Sequence, residues 1–473
     1  MTSFGRKVFH GTLIISAFML LGRVSGFIQK LVVAYQFGIG IEADAYTFAF
    51  SSIVFTFMIV PHKLLAPFLP LFAERKETQG EPAAWRFTGT VATITLVVVT
   101  LAVGVGIVFA PWMVRTLSSF ESEETVVLAT KLVRIMLPAA CFAALFALGT
   151  LIFNADKKFA LPAFADATNK ILVIAVMVIL APWLGIKGLA VGVVAGAAAC
   201  LAVVLFGLRS KLGWLRLSVD WNDPLLKKFA FLVPPTLASI LIAQGRTIID
   251  YRFASGMGEG YAASLGFAKS LTDTLVSVIP FAVGVVIYPF FSDLNVGGDK
   301  RKTTDAVMGA LRTMALIFVP ISVVLMVLRV PVVQLAFQRG KFEMPSVLLT
   351  AGPLLFFAAA LTALALEIIL MRFYFSAQDT LSPAIVGVIC VVLHVGLVIT
   401  FKGPILGIVG AMKRLAKGDI DIPLTGKNRY DEIGDMARAL EVFKENAEER
   451  IRLEASTQGQ RASAEAARQS NDA

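Results

Sequence analysis

Three cysteines, three histidines and 16% charged residues in 473 leave several function classes without material. Cys141, Cys200 and Cys390 all lie in apolar segments, with none of the spacing of a disulfide framework or a thiolate metal site, and read as core residues. His10 reads as a surface residue, His62 as interfacial beside Lys63, and His394 as a helix-packing donor. There is no Walker loop, no HExxH and no GxSxG. ATP-driven pumping, hydrolysis and metal chemistry are therefore unsupported; no enzyme activity, cofactor, metal or nucleic-acid partner is expected. No cleavable leader is expected either. The first apolar stretch outruns an h-region, carries Arg23 and has no small-residue cleavage site behind it, so it is expected to stay in the membrane.

What the chain has is apolar length. With 57% hydrophobic residues and a mean hydropathy of +0.77 it belongs to the polytopic membrane class. A spanning helix takes about 20 apolar residues. Eleven are expected, near 11–36, 44–70, 88–112, 127–153, 160–182, 187–208, 229–254, 262–289, 307–334, 347–374 and 382–401. Basic residues mark every second loop: Arg6 and Lys7; Arg75, Lys76 and Arg86; Lys157 and Lys158; Arg209 to Lys228; Lys300 to Lys302. Those loops, and the N-terminus, are expected in the cytoplasm, with Arg339 and Lys341 an exception.

The chain also resembles itself at an offset of roughly 220 residues, the internal duplication from which transporters are built. Gly22-Arg23 is echoed by Gly245-Arg246, Pro111 by Pro331, and Phe153-Asn154-Ala155 by Phe375-Ser376-Ala377. The expected fold is all-α: a six-helix lobe over 1–208, a cytoplasmic linker over 209–228 and a five-helix lobe over 229–402, in two pseudo-symmetric bundles. Gly188 to Gly192, opening span 6, recurs as Gly407 to Gly410, where a twelfth helix is due. The chain continues instead into Met412-Lys413-Arg414.

An ionisable group at mid-bilayer costs roughly 2.5 to 3.5 kcal/mol on insertion scales, so such groups are functional candidates. Arg23 and Lys30, two turns apart on one face, with Asp44, Arg246 and Lys269, fit a cationic cavity for an anionic headgroup. Asp166, Lys170, Asp250 and Asp273 are candidates for ion coupling or helix pairing, Asp166 and Lys170 as an ion pair one turn apart. Pairing of Arg23 with Asp44 or Asp250, and snorkelling of Lys30 and Lys269, remain alternatives.

Gly22 to Phe27, Phe37-Gly38, Ala43-Asp44-Ala45, Asn154 to Pro162, Phe337-Gln338-Arg339-Gly340-Lys341-Phe342 and Arg372-Phe373-Tyr374 with Gln378-Asp379-Thr380 and Pro383 resemble the MurJ (MviN) lipid II flippases. The similarity covers about residues 8–411. It implies a member of the multidrug/oligosaccharidyl-lipid/polysaccharide exporter superfamily. It also implies alternating access for an undecaprenyl-pyrophosphate-linked glycan, lipid II, in the bacterial inner membrane. By this resemblance Arg23 matches the first cavity arginine, Asp44 the acid opening helix 2, and Lys269 the basic residue of helix 8. The second basic position of helix 1 reads Gln29, and a helix 2 arginine position reads Phe57. That family usually has fourteen helices, two of them beyond the duplicated twelve, so with eleven spans expected here helices 12 to 14 are expected to be missing and transport by this chain alone is in question.

From Gly403 on, 23 of 71 residues are charged, against 53 of the preceding 402, so a water-exposed module is expected. Gly418-Asp419, Ile422-Pro423 and Asp431-Glu432-Ile433-Gly434, followed by Met436, Leu440 and Phe443, resemble a HAMP domain over 403–454. That resemblance implies a homodimeric four-helix bundle. Residues 455–473 are expected to fray. The loop charges put this tail outside, whereas HAMP domains work in the cytoplasm; a carrier joined out of context to a HAMP tail is the expected explanation. A HAMP-coupled receptor and a drug or small-solute exporter stay open as alternatives.

Overall fold

The computed structural model describes residues 21–453 except Arg23, Leu217, 297–299, Gln378, Thr380, Lys417, Ile420, 424–426, 429–433 and Ile451; further helical side chains, chiefly within 278–300 and 399–406, are also outside that set. Residues 24–37 form α1. The first half continues with α2 (Ile41–Phe48), α3 (Phe55–Leu64), α4 (Phe68–Gln79), α5 (Glu81–Leu117), α6 (Glu123–Met136), α7 (Ala139–Ala155), α8 (Ala160–Leu184) and α9 (Ile186–Leu208). The second half holds α10 (Pro224–Ser255), α11 (Tyr261–Val296), α12 (Lys300–Val327), α13 (Arg329–Phe337), α14 (Met344–Ser376) and α15 (Leu381–Ala416).

Among the described residues nine helices are long and apolar enough to cross a membrane. Two of the eleven expected spans are not in that count. The span at 11–36 has residues 11–20 and Arg23 outside the described residues, and that at 262–289 lies in α11, a 36-residue helix several of whose side chains are outside them. Elsewhere an expected span is a broken rod. The segment 127–153 divides into α6 and α7 around Pro138, and 307–334 into α12 and α13. Proline removes a backbone donor and crowds the preceding turn, which is the reason for such breaks.

Local chemistry sets the ends. Ser122 caps α6, its side chain accepting from Thr125 N, with Glu123 and Glu124 in the first turn. Asp223 caps α10 ahead of Pro224 in the same way, accepting from Leu225 N. Gly185, at φ +56°, turns α8 back into α9. The two helices then pack closely because α9 offers no side chains there: a Cβ on Gly188, Gly192 or Gly196 would stand 3.0, 3.0 and 2.4 Å from Ala181 N, Val173 O and Asn169 Oδ1.

The tryptophans mark two levels. Trp112 and Trp183 are exposed near the ends of α5 and α8, and Trp214 and Trp221 are exposed in the linker, the positions where such rings sit at membrane interfaces. Trp85 is buried instead, in a cluster with Phe68, Phe72 and Phe87 at the linker end. In the larger core Phe27, Phe267, Phe337 and Phe342 pack in tilted and edge-to-face pairs, with centroids 5.2 to 6.0 Å apart, joining α1, α11 and the end of α13.

Residues from Val392 on form a second compact unit. Its core is Ile408, Ala411, Ile422, Ala437 and Leu440, drawn from the end of α15, a connector and a helix over 434–450, here α16. The connector is pinned by Arg414, which donates to Asp419 and to Asp421 O, and by Lys444 to Ile422 O. This is the expected order of helix, connector, helix. The Asp431 to Ile433 part of the motif and residues 455–473 lie outside the described residues.

Candidate functional site

At the end of the bundle away from the linker, the two halves are latched by backbone contacts. Asp44, 2% exposed near the start of α2, accepts hydrogen bonds from Gly260 N and, at 2.7 Å, from Ala263 N. A carboxylate aimed at the first amides of α11 satisfies orphan donors and meets the positive end of that helix. Close by, Lys341 N donates to Tyr35 O at 3.0 Å, and Ser119 N to Ser255 Oγ at 2.8 Å. Gly340 is at φ +58°, and a Cβ there would stand 2.3 Å from Tyr35 O, so only glycine lets this loop close on α1. Asp44 and Ala263 are 219 residues apart, as are Thr47 and Gly266, which also meet where α2 crosses α11. That separation is close to the roughly 220-residue offset of the internal repeat.

Deeper in the membrane the charges converge. Lys170 of α8 and Lys269 and Asp273 of α11 all lie within electrostatic range of Lys30 of α1. Asp273 and Asp250 in turn lie within range of Tyr251, whose hydroxyl is paired with Ser51. Ser51 is offered by a π-helical turn over Ala49–Val54, the kind of widened turn that re-aims side chains at functional sites. Lys30 is thus coupled electrostatically to two further lysines and one carboxylate. Two positive charges in excess, in a low-dielectric setting, favour a dianionic partner with many acceptor oxygens.

Of the residues expected to act, Lys30, Lys170 and Lys269 are thus brought together and half-buried. Arg23 lies outside the described residues. Arg246 is exposed on α10, and Asp250 and Asp273 are each engaged electrostatically. Asp44 is committed to backbone amides rather than to the lysine cluster. The ion pair expected between Asp166 and Lys170 does not form among the described residues. Asp166 lies toward α1, its Oδ2 3.3 Å from where a Cβ on Gly22 would stand, while Lys170 is in range of Lys30. Phe57, where an arginine was considered, is turned onto α5, with ring carbons 3.1 and 3.2 Å from a Cβ on Gly106. Ser51 and Tyr251 carried no charge and so gave no signal in the sequence.

At the linker end, ion pairs tie the linker to the first half. Arg75 pairs with Asp223 and Lys228 with Glu74, while Lys211 bridges Glu81 and Asp156, which also takes Lys76 at 2.6 Å. Partial burial pushes the Asp156 carboxyl up, but its hydrogen bonds and charge pairing with Lys76 and Lys211 outweigh this and hold it below its usual value. Burial likewise pulls Lys211 down, and its two carboxylate partners carry it above its usual value.

The chain is 27% identical over 395 residues to the lipid II flippase MurJ of Burkholderia cenocepacia, covering 80% of this chain and 75% of that one. A solved structure of a lipid II flippase MurJ in an inward closed conformation superposes with a TM-score of 0.70 at 20% identity, over 92% of this chain and 86% of that chain. An inward-facing multidrug resistance MATE family transporter of the MOP superfamily gives 0.68 at 12% identity, over 94% and 99%. The HAMP domain family matches residues 397–449. The lipid II flippase MurJ family matches residues 33–412, and the chain belongs to that family.

Proposed function

We propose that this chain moves lipid II, the undecaprenyl-pyrophosphate-linked peptidoglycan precursor, across the bacterial inner membrane by alternating access, without an enzymatic step. The observation that carries the reading is the cluster of Lys30, Lys170 and Lys269 from three helices, opposed by Asp273, with its two excess positive charges. A diphosphate is the matching ligand, held by point charge and charge-assisted hydrogen bonds. Arg23, outside the described residues, and Arg246, exposed on α10, are proposed as further headgroup ligands on the strength of the resemblance and of the internal repeat that relates them. Asp166, Asp250 and Asp273 supply the balancing negative charge. All these residues precede α15, so the headgroup site does not draw on helices beyond the eleventh.

With the N-terminus and the linker in the cytoplasm, the Asp44 latch lies on the periplasmic side and closes it. The conformation is then inward-facing, with release requiring the latch to open. The test is complementation of a strain depleted of its lipid II flippase. The parent chain, or one extended by helices 12 to 14 of a relative, restores growth, and Lys170→Gln with Lys269→Gln does not. Failure of the extended version to restore growth counts against lipid II as the substrate.

A second reading concerns the tail. Met436 and Phe443, seven residues apart on α16, are 50% and 66% exposed. Two turns of one helical face left open in a HAMP module fit burial against a second copy. Phe443→Cys then crosslinks between copies in the membrane; a purely monomeric product sinks the homodimer.

A further inference from the structure

A groove of about 320 Å³ opens between α5 and the start of α10, lined by Val91, Ile94, Trp221, Leu226, Phe229 and Val233, with Lys227 on its wall. It lies in the first compact unit, at the linker end, apart from the lysine cluster. Its walls are apolar apart from Lys227, and two further exposed cations lie on the segments that lead into it, Arg86 five residues before Val91 on α5 and Arg216 five residues before Trp221 in the linker. The linker backbone at Arg216 lies directly on α5: a Cβ on Gly89 would stand 2.1 Å from Arg216 O. Arg86 projects from α5 one turn before Gly89, and its side chain, like those of Arg216 and Lys227, is exposed. None of these three has an ion-pair partner among the described residues. The nearby carboxylates Glu74, Glu81, Asp156 and Asp223 are already paired with Lys228, Lys211, Lys76 and Arg75. Asp220 accepts from the Asn222 amide. Trp221 stands 70% exposed beside the groove, with Phe231 81% exposed a little further on.

We infer that this groove holds an anionic phospholipid, one acyl chain between α5 and α10 and its phosphate among Arg86, Arg216 and Lys227. The apolar lining asks for hydrocarbon, the unpaired cations ask for negative charge, and exposed aromatics mark the level of the bilayer interface where both occur in one molecule. A soluble anion would leave the apolar walls unused. A zwitterionic lipid would bring its own cation against three others.

The experiment uses the full chain in nanodiscs containing either phosphatidylglycerol or phosphatidylcholine with brominated acyl chains. The difference in tryptophan quenching between parent and Trp221→Phe isolates the signal of Trp221. The expected result is quenching at a lower mole fraction of the anionic lipid. Arg86→Gln, Arg216→Gln and Lys227→Gln each weaken that preference about fivefold, on the order of a hundredfold together. Lys227→Arg restores it, which separates charge from folding. Ala230 also lines the groove, and Ala230→Leu narrows it and reduces quenching by both lipids. Equal quenching by the two lipids, or an unchanged triple variant, overturns the inference. So does loss of the preference on adding millimolar inorganic phosphate, which indicates an ion site alone. Protection of Trp221 from both lipids by a second copy overturns it as well.

Discussion

Removing the Asp44 carboxylate tests whether the latch between α2 and α11 holds one end of the carrier shut. In Asp44→Ala, Gly260 N and Ala263 N lose their acceptor in a site only 2% exposed. Each hydrogen bond to a charged acceptor contributes about 1.5 to 3 kcal/mol, so losing two costs roughly 3 to 6 kcal/mol. Water entering the opened end recovers part of it. Asp44→Asn keeps one acceptor oxygen and forfeits about half. If that energy favours the latched state alone, the closed population falls by a factor of about 100 or more in the alanine variant. A disulfide reports this directly. A Cβ on Gly256 stands 3.0 Å from Ser119 Cβ, slightly inside the usual disulfide spacing of about 3.5 to 4.5 Å. Ser119→Cys with Gly256→Cys should therefore oxidise readily in the parent, more slowly with Asn at 44, and slowest with Ala. Equal oxidation rates in all three refute the latch. Equal rates with a lowered melting temperature assign Asp44 to stability only.

Lys170→Gln should weaken retention of a diphosphate-bearing lipid about tenfold or more, and Lys170→Arg should retain most of it, as measured by native mass spectrometry. The linker clamp should have two pH limits, read by limited proteolysis between Arg209 and Asp223. Asp156 is held below its usual value, so its contribution is complete above about pH 4 and is lost as pH falls through the lower folded value. Lys211 is held above its usual value, so its contribution is complete below about pH 10.4 and is lost as pH rises through the higher folded value. Lys211→Ala should remove both limits together with much of the protection. Gly340→Ala should lower the melting temperature by the equivalent of about 1 to 3 kcal/mol, because left-handed backbone and a 2.3 Å approach to Tyr35 O both resist a Cβ; an unchanged transition contradicts the closure described at that loop.

The architecture was legible because hydrocarbon thickness imposes helix length, and because duplication repeats motifs such as Gly22-Arg23 and Gly245-Arg246. The lysine cluster was half legible. Lys30 and Lys269 stand out as charges in apolar runs, whereas Lys170 was read with Asp166 since one turn separates them along α8. Which of two neighbours a side chain meets depends on the helix packed across from it, and spacing carries no record of that. Asp44 was legible as an intramembrane acid but not as a helix cap. Its partners are main-chain amides, which every residue but proline possesses, and they lie 216 and 219 residues away. The breaks at Pro138 and between α12 and α13 were hidden because hydropathy averages over them.

The Asp44 contact also bears on how far a duplicated carrier can remain symmetrical. Where two halves touch at positions about one repeat length apart, an acid present in both would bring two carboxylates near each other in a medium that screens them poorly. Like charges so placed cannot both ionise without cost. At this contact the second half reads Ala263 and offers its main-chain amide instead. A latch with a carboxylate on one side and main-chain amides on the other is thus one that two identical halves could not both make.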